Sequence, residues 1–96
     1  MSKDSTQSFK DAFGKFLKEE HLDHKYKEKQ LIESWERIMG RPIAARTSKM
    51  FFKDGIFFVE LTSASLKDEM NRSKEIAKAR IQEHMGELIF NEIRFI

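Results

Sequence analysis

Residues 50–58 read Met50-Phe51-Phe52-Lys53-Asp54-Gly55-Ile56-Phe57-Phe58, with four phenylalanines set around an Asp-Gly pair. Asp-Gly between apolar runs is a strong signal for a two-residue hairpin turn, because both central residues of that turn need positive φ. A two-residue turn pairs Lys53 with Ile56, Phe52 with Phe57 and Phe51 with Phe58. Strand side chains alternate between faces, so Met50, Phe52, Phe57, Val59 and Leu61 gather on one side. Lys49, Phe51, Lys53, Ile56, Phe58 and Glu60 gather on the other. A three-residue loop would instead set Lys49 and Lys53 beside Phe57, Val59 and Leu61. Burying two unpaired ammonium groups is costly, so the two-residue turn is the expected one.

Outward from the hairpin, the period of the apolar residues changes from two to that of a helix. Upstream, Ser5 and Thr6 are N-cap residues for a first helix striped with Phe9, Ala12, Phe13, Phe16 and Leu17. A break is expected at His21–His24. A second helix is expected from about Lys25 to Met39, with Gly40 as a left-handed stop and Pro42 barring resumption. The strands are expected over Arg46–Phe52 and Ile56–Thr62. Downstream, a third helix starts at Ser63 or Ser65, carries Leu66, Met70, Ala77, Ile81 and Met85, and ends at Gly86. A last strand over Ile89–Phe95 sets Ile89, Ile93 and Phe95 on one side, and Phe90, Glu92, Arg94 and Ile96 on the other. The order α-α-β-β-α-β predicts an α+β fold, a three-stranded, mostly antiparallel sheet packed with helices.

The chain has 96 residues, which predicts a single domain over 1–96: an N-terminal helix within 1–22 and a core from 23 to 96. Eighteen Lys and Arg stand against 16 Asp and Glu, a net charge of +2, which argues against a histone-like, strongly electrostatic binder. The absence of cysteine excludes disulfides, zinc-thiolate sites and thiol catalysis. No apolar stretch approaches the length of a membrane span, and the polar start, Met1–Gln7, predicts no signal peptide. A cytoplasmic protein with no membrane association is expected, and the Asn71-Arg72-Ser73 sequon is read as chance.

No catalytic constellation stands out. There is no G-x-x-x-x-G-K-[ST] loop, no G-x-G-x-x-G and no G-x-S-x-G, so neither a nucleotide cofactor nor an esterase-type nucleophile has support. His21-Leu22-Asp23-His24 has the residue types of a metal chelate, but it lacks a second ligand cluster and reads as a solvated corner. Glu19-Glu20 and Glu33/Glu36 read as solvated helix faces. No cofactor, no metal and no enzymatic activity are expected.

The basic residues say more. Arg37, Arg41, Arg46, Lys49 and Lys53 follow Glu36 with no acidic residue before Asp54. Arg41, Arg46, Lys49 and Lys53 are the candidate phosphate contacts, and Phe51, Phe58 and Arg94 the candidate stacking face. Lys67, Arg72, Lys74, Lys78 and Arg80 are diluted by Asp68, Glu69 and Glu75 and read as an ordinary helix surface. Two fates remain open for Phe51 and Phe58: cover by the first helix, or contact with a partner. Trp35, alone on a helix stripe, reads as core.

The order of landmarks carries a resemblance. Trp35-x-x-Ile38-x-Gly40, Ile43-Ala44-x-x-Thr47, the Asp54-Gly55 hairpin, Ser63-x-Ser65 leading to Glu69-Met70, Met85-Gly86 and Glu92-Ile93-Arg94-Phe95 together resemble the DciA-like family of bacterial proteins. The resemblance covers nearly all of the chain after the first helix. It implies a KH-like domain that helps recruit or load the replicative DNA helicase, with DNA-binding capacity and no ATPase of its own. Longer relatives carry an extension that this sequence is read as lacking. The chain departs from the KH pattern in having no G-x-x-G: Gly14, Gly40, Gly55 and Gly86 stand alone. The expected partners are therefore DNA, single-stranded or non-specific and weakly held, and the replicative helicase. An RNA-binding KH-like module and a protein-interaction module, including a homodimer through the aromatic face, are the alternatives.

Overall fold

The computed structural model describes residues 22–96. The expected first helix, with Phe9, Phe13 and Phe16, lies outside the described residues. Within them the elements run α1 Leu22–Glu33, α2 Trp35–Met39, α3 Arg41–Ala45, β1 Thr47–Lys53, β2 Ile56–Leu61, α4 Ala64–Arg72, α5 Lys74–Met85 and β3 Glu92–Phe95. This is an α+β fold.

The turn is the two-residue one. Asp54 has φ 52° and Gly55 φ 76°, and Lys53 faces Ile56, Phe52 faces Phe57 and Phe51 faces Phe58. Gly55 serves twice. Its backbone needs positive φ, and a Cβ there would meet the Asn91 amide at 2.7 Å. The Asn91 N–H in turn donates to the Gly55 carbonyl, guiding the chain into β3. A bulge at Ser48 shifts the register between Thr47 and Lys49, and the Ser48 hydroxyl reaches the Glu60 carboxylate at 2.8 Å.

The strand order is β1-β2-β3. The hairpin is antiparallel, while β3 joins β2 in parallel, so the sheet is mixed. A parallel neighbour requires a crossover, and α4 with α5 supplies it. Packed on the sheet are Leu31, Trp35, Ile38 and Met39 from α1 and α2 and Met70, Ala77 and Ile81 from the crossover, all buried. They meet Phe57, Val59, Leu61, Ile93 and Phe95 on one sheet face. Trp35 is core, as read: its ring meets Phe57 edge-on with centroids 5.6 Å apart. Its Nε1–H donates to Thr47 Oγ1, whose own hydroxyl donates to the Ile43 carbonyl.

Five expectations are corrected. The helix expected from Lys25 already includes Leu22, the first described residue, and it jogs at Ser34, whose N–H is shared between the Gln30 and Leu31 carbonyls. Leu22–His24 is thus a helical turn rather than a corner, with His24 Nε2 2.9 Å from Glu28 Oε2. Pro42 does not bar resumption. Gly40, at φ 89°, ψ 161°, ends α2 at Met39 and bends the chain, and α3 starts at once with Pro42 in its first turn, where a missing N–H costs nothing. The third helix is two helices, divided at Ser73. Finally, β3 starts only at Glu92, so alternation does not reach Phe90, which is buried in the core rather than set on the mixed face.

Asn71, at the end of α4, ties the crossover to the last strand. Its Nδ2 donates to the Phe95 carbonyl at 2.8 Å, and its Oδ1 accepts from the Phe95 N–H at 3.1 Å. The sequon's side chain is occupied within the fold.

Candidate nucleic-acid interface

The sheet face away from the core is built by register. Phe51, Phe58 and Arg94 lie side by side across the three strands. The neighbouring row is Lys53, Ile56 and Glu92. Lys49 pairs with Glu60 on the other flank, and the Ile96 N–H bond to Val59 and the Leu61 N–H bond to Ile96 carry the ladder on, bringing Ile96 alongside Glu60. The result is a grid of three rows and three strands.

At its centre the Phe51 and Phe58 rings stack, with centroids 4.9 Å apart and planes 14° from parallel. Both rings are half-buried, while Lys49, Lys53, Glu60, Arg94 and Ile96 are exposed. The Lys49 ammonium stands 5.2 Å from the Phe51 ring centre, within cation–π range. Among the described residues, no ion pair engages Lys49 or Lys53.

Arg94 is differently placed. Its Nε donates to Glu92 Oε1 at 3.0 Å and its Nη2 to Glu92 Oε2 at 3.3 Å, a two-pronged grip between residues on one face of a strand. Lys74 Nζ comes within 3.9 Å of the same carboxylate. The hydrogen bonds from Arg94 hold the Glu92 carboxyl below its ordinary pKa. The sequence places Glu92 and Arg94 on this face; their spacing of two along a strand is the signal for the pair.

Five candidates therefore come together: Lys49, Phe51, Lys53, Phe58 and Arg94. Two do not. Arg41 is exposed at the start of α3, beside Glu36, Ala44 and Ala45. Arg46 is exposed at its end, with Nη1 donating to the Pro42 carbonyl, and lines a hollow with Ser63, Ser65, Leu66 and Glu69 on the helical side. The cations that run together in the sequence thus divide at the entry to β1. The grid itself holds three cations against two carboxylates, a weak field for a polyanion. Its stacked rings present the apolar surface and its lysines the charge, the two elements needed to hold bases and phosphates.

Among the described residues, no group of three His, Asp or Glu side chains has the geometry to hold a metal, and no helix is long and apolar enough to cross a membrane. Gly40, Gly55 and Gly86 lie at the entry to α3, at the hairpin turn and after α5. The junction between α4 and α5, Arg72-Ser73-Lys74, has no glycine.

A family profile described as Dna[CI] antecedent, DciA, matches residues 8–95. A search of the curated proteins finds no match to the chain.

Proposed function

The chain belongs to the DciA family, whose members have a helicase-loader-related role in bacterial replication, and from that premise we propose that it is a non-enzymatic, DNA-binding adaptor for the replicative helicase. It acts in the cytoplasm and brings single-stranded DNA and helicase together without catalysing a reaction. The observation that carries the DNA reading is the Phe51–Phe58–Arg94 row flanked by Lys49 and Lys53. Stacked rings offer a platform for bases of any sequence, and the lysines reach for phosphates. With so few cations the binding is weak and steeply salt-dependent.

Single-stranded DNA titrated at low and at moderate salt tests this. Lys49→Glu and Phe58→Ser are expected to weaken binding about tenfold each, whereas Arg41→Glu, off the face, changes it little. No binding at low salt, or binding indifferent to Lys49 and Phe58, removes the DNA claim. The same titration with RNA of matching sequence separates a DNA adaptor from an RNA-binding module.

A further inference from the structure

We propose that the aromatic sheet face pairs with the same face of a second copy of this chain, about a two-fold axis parallel to β2. The inference concerns self-association alone and does not rest on the DNA reading. It comes from the arrangement of charge on the grid. Read across the strands, the rows are Lys53–Ile56–Glu92, Phe51–Phe58–Arg94 and Lys49–Glu60–Ile96. Two copies of a sheet face stack about ten ångströms apart with strands nearly aligned. Only two in-plane axes bring such a grid onto itself.

An axis across the strands exchanges the first and third rows. It sets Lys53 against Lys49 of the second copy and Arg94 against Arg94, and leaves Glu92 facing Ile96. Like charges meet, and no ion pair forms. An axis along β2 exchanges the outer strands instead. Lys53 then faces Glu92 of the second copy, and Glu92 faces its Lys53, giving two ion pairs by symmetry. Arg94 lies over Phe51 of the second copy, a cation–π contact made twice. On the axis, Phe58 meets Phe58 and Ile56 meets Ile56. Lys49, already over its own Phe51 ring, lies against Ile96, covering that apolar side chain with its methylenes. This axis leaves one conflict, Glu60 against Glu60.

Among the described residues, the exposure of the parts agrees with an uncovered face. Ile96 is 41 % exposed, the Arg94 side chain 50 % and that of Glu92 41 %. A patch of three strands by three rows spans roughly 15 by 20 Å, at the small end for a specific interface. The dimer is accordingly a weak one that fills with concentration. Where the face also holds DNA, dimerisation and DNA binding exclude each other.

Sedimentation equilibrium of the full chain without nucleic acid, from low micromolar to submillimolar concentration, tests the proposal. A concentration-dependent dimer is expected. Lys53→Glu and Glu92→Lys should each raise its dissociation constant about tenfold, and the two together should restore it, because the reversed pair has the same geometry. Glu60→Gln should tighten the dimer by removing the conflict on the axis. All three residues are at least partly exposed, and circular dichroism of each variant checks that the fold is retained. A monomer throughout, a dimer indifferent to the single reversals, or failure of the double variant to recover would each overturn the proposal. Loss of DNA binding with the dimer intact would bear on the DNA reading alone.

Discussion

The hairpin holds two cross-strand phenylalanine pairs that are near copies in geometry and opposites in surroundings. Phe52 and Phe57 stack with centroids 4.5 Å apart at 13°, and Phe51 and Phe58 at 4.9 Å and 14°. Phe57 is fully buried, packed against Trp35 and Phe90. Phe51 and Phe58 stand among lysines and an arginine on the other face. Stacking alone therefore does not say what a ring is for; the row it shares does. In one row the neighbours are apolar, Ile93 from β3, Trp35 from a helix and Phe90 from the connection before β3. In the other they are charged and belong to the sheet itself.

Truncating one ring of each pair separates stability from binding, and it gives the largest effect expected here. Phe57→Ala empties the centre of the core and should cost about 3–5 kcal/mol in chemical denaturation. Phe58→Ala removes a half-exposed cross-strand contact and should cost about 1 kcal/mol, with its main effect on DNA affinity. Equal losses of stability would break the distinction between the faces.

A smaller effect is expected where polar groups pin the core side. Trp35 keeps its buried indole N–H satisfied only through the Thr47 hydroxyl, which is itself bonded to the Ile43 carbonyl. Thr47→Val keeps the shape and removes both bonds, leaving a buried donor unpaired at a cost of about 1–3 kcal/mol. Thr47→Ser keeps the hydroxyl and should recover most of that loss. The same unfolding assay reads both. If valine is as stable as threonine, the indole is not held by this bond.

The face assignment was legible because Lys49 and Lys53 vote together: only one turn length keeps both ammonium groups off the core. The two-residue turn follows from them and from the positive φ that Asp54 and Gly55 adopt. The breaks at Ser34 and Ser73 were not legible, since the apolar stripe runs on across both and serine is tolerated within a helix. Pro42 misled in the other direction. A proline forbids a helix interior but not a first turn, and only the unusual conformation of Gly40 puts it there. Strand alternation puts Phe90 on the mixed face, but β3 starts only at Glu92, and ahead of it the ring is free to enter the core. For the candidate site, linear proximity overstated the cluster: Arg41 and Arg46 precede Lys49 closely, yet a helix and a strand part them. The tie from Asn71 to Phe95 spans 24 positions, and no local pattern announces it.

The smallest effect expected concerns the pair that tempers the open face. Glu92 is held below its ordinary pKa chiefly by hydrogen bonds from Arg94. A carboxyl whose pKa is depressed in the folded state contributes stability that is fully present above its unfolded pKa and is lost as pH falls through the folded one. The window is therefore acidic, below the ordinary carboxylate range, and near-neutral pH leaves the pair intact. Because both groups are solvent-exposed, the stability involved is small, and the clearer readout is the face itself. Protonating Glu92 frees the Arg94 guanidinium, and so does Glu92→Gln at neutral pH. DNA affinity should rise in the glutamine variant by the gain of one unmasked cation, with a slightly steeper salt dependence. The variant should also lose the acid-dependent part of the wild-type response. If Glu92→Gln leaves affinity and salt slope unchanged, Arg94 does not reach the phosphates, and the DNA path across the sheet narrows to the strip between Lys49 and Lys53.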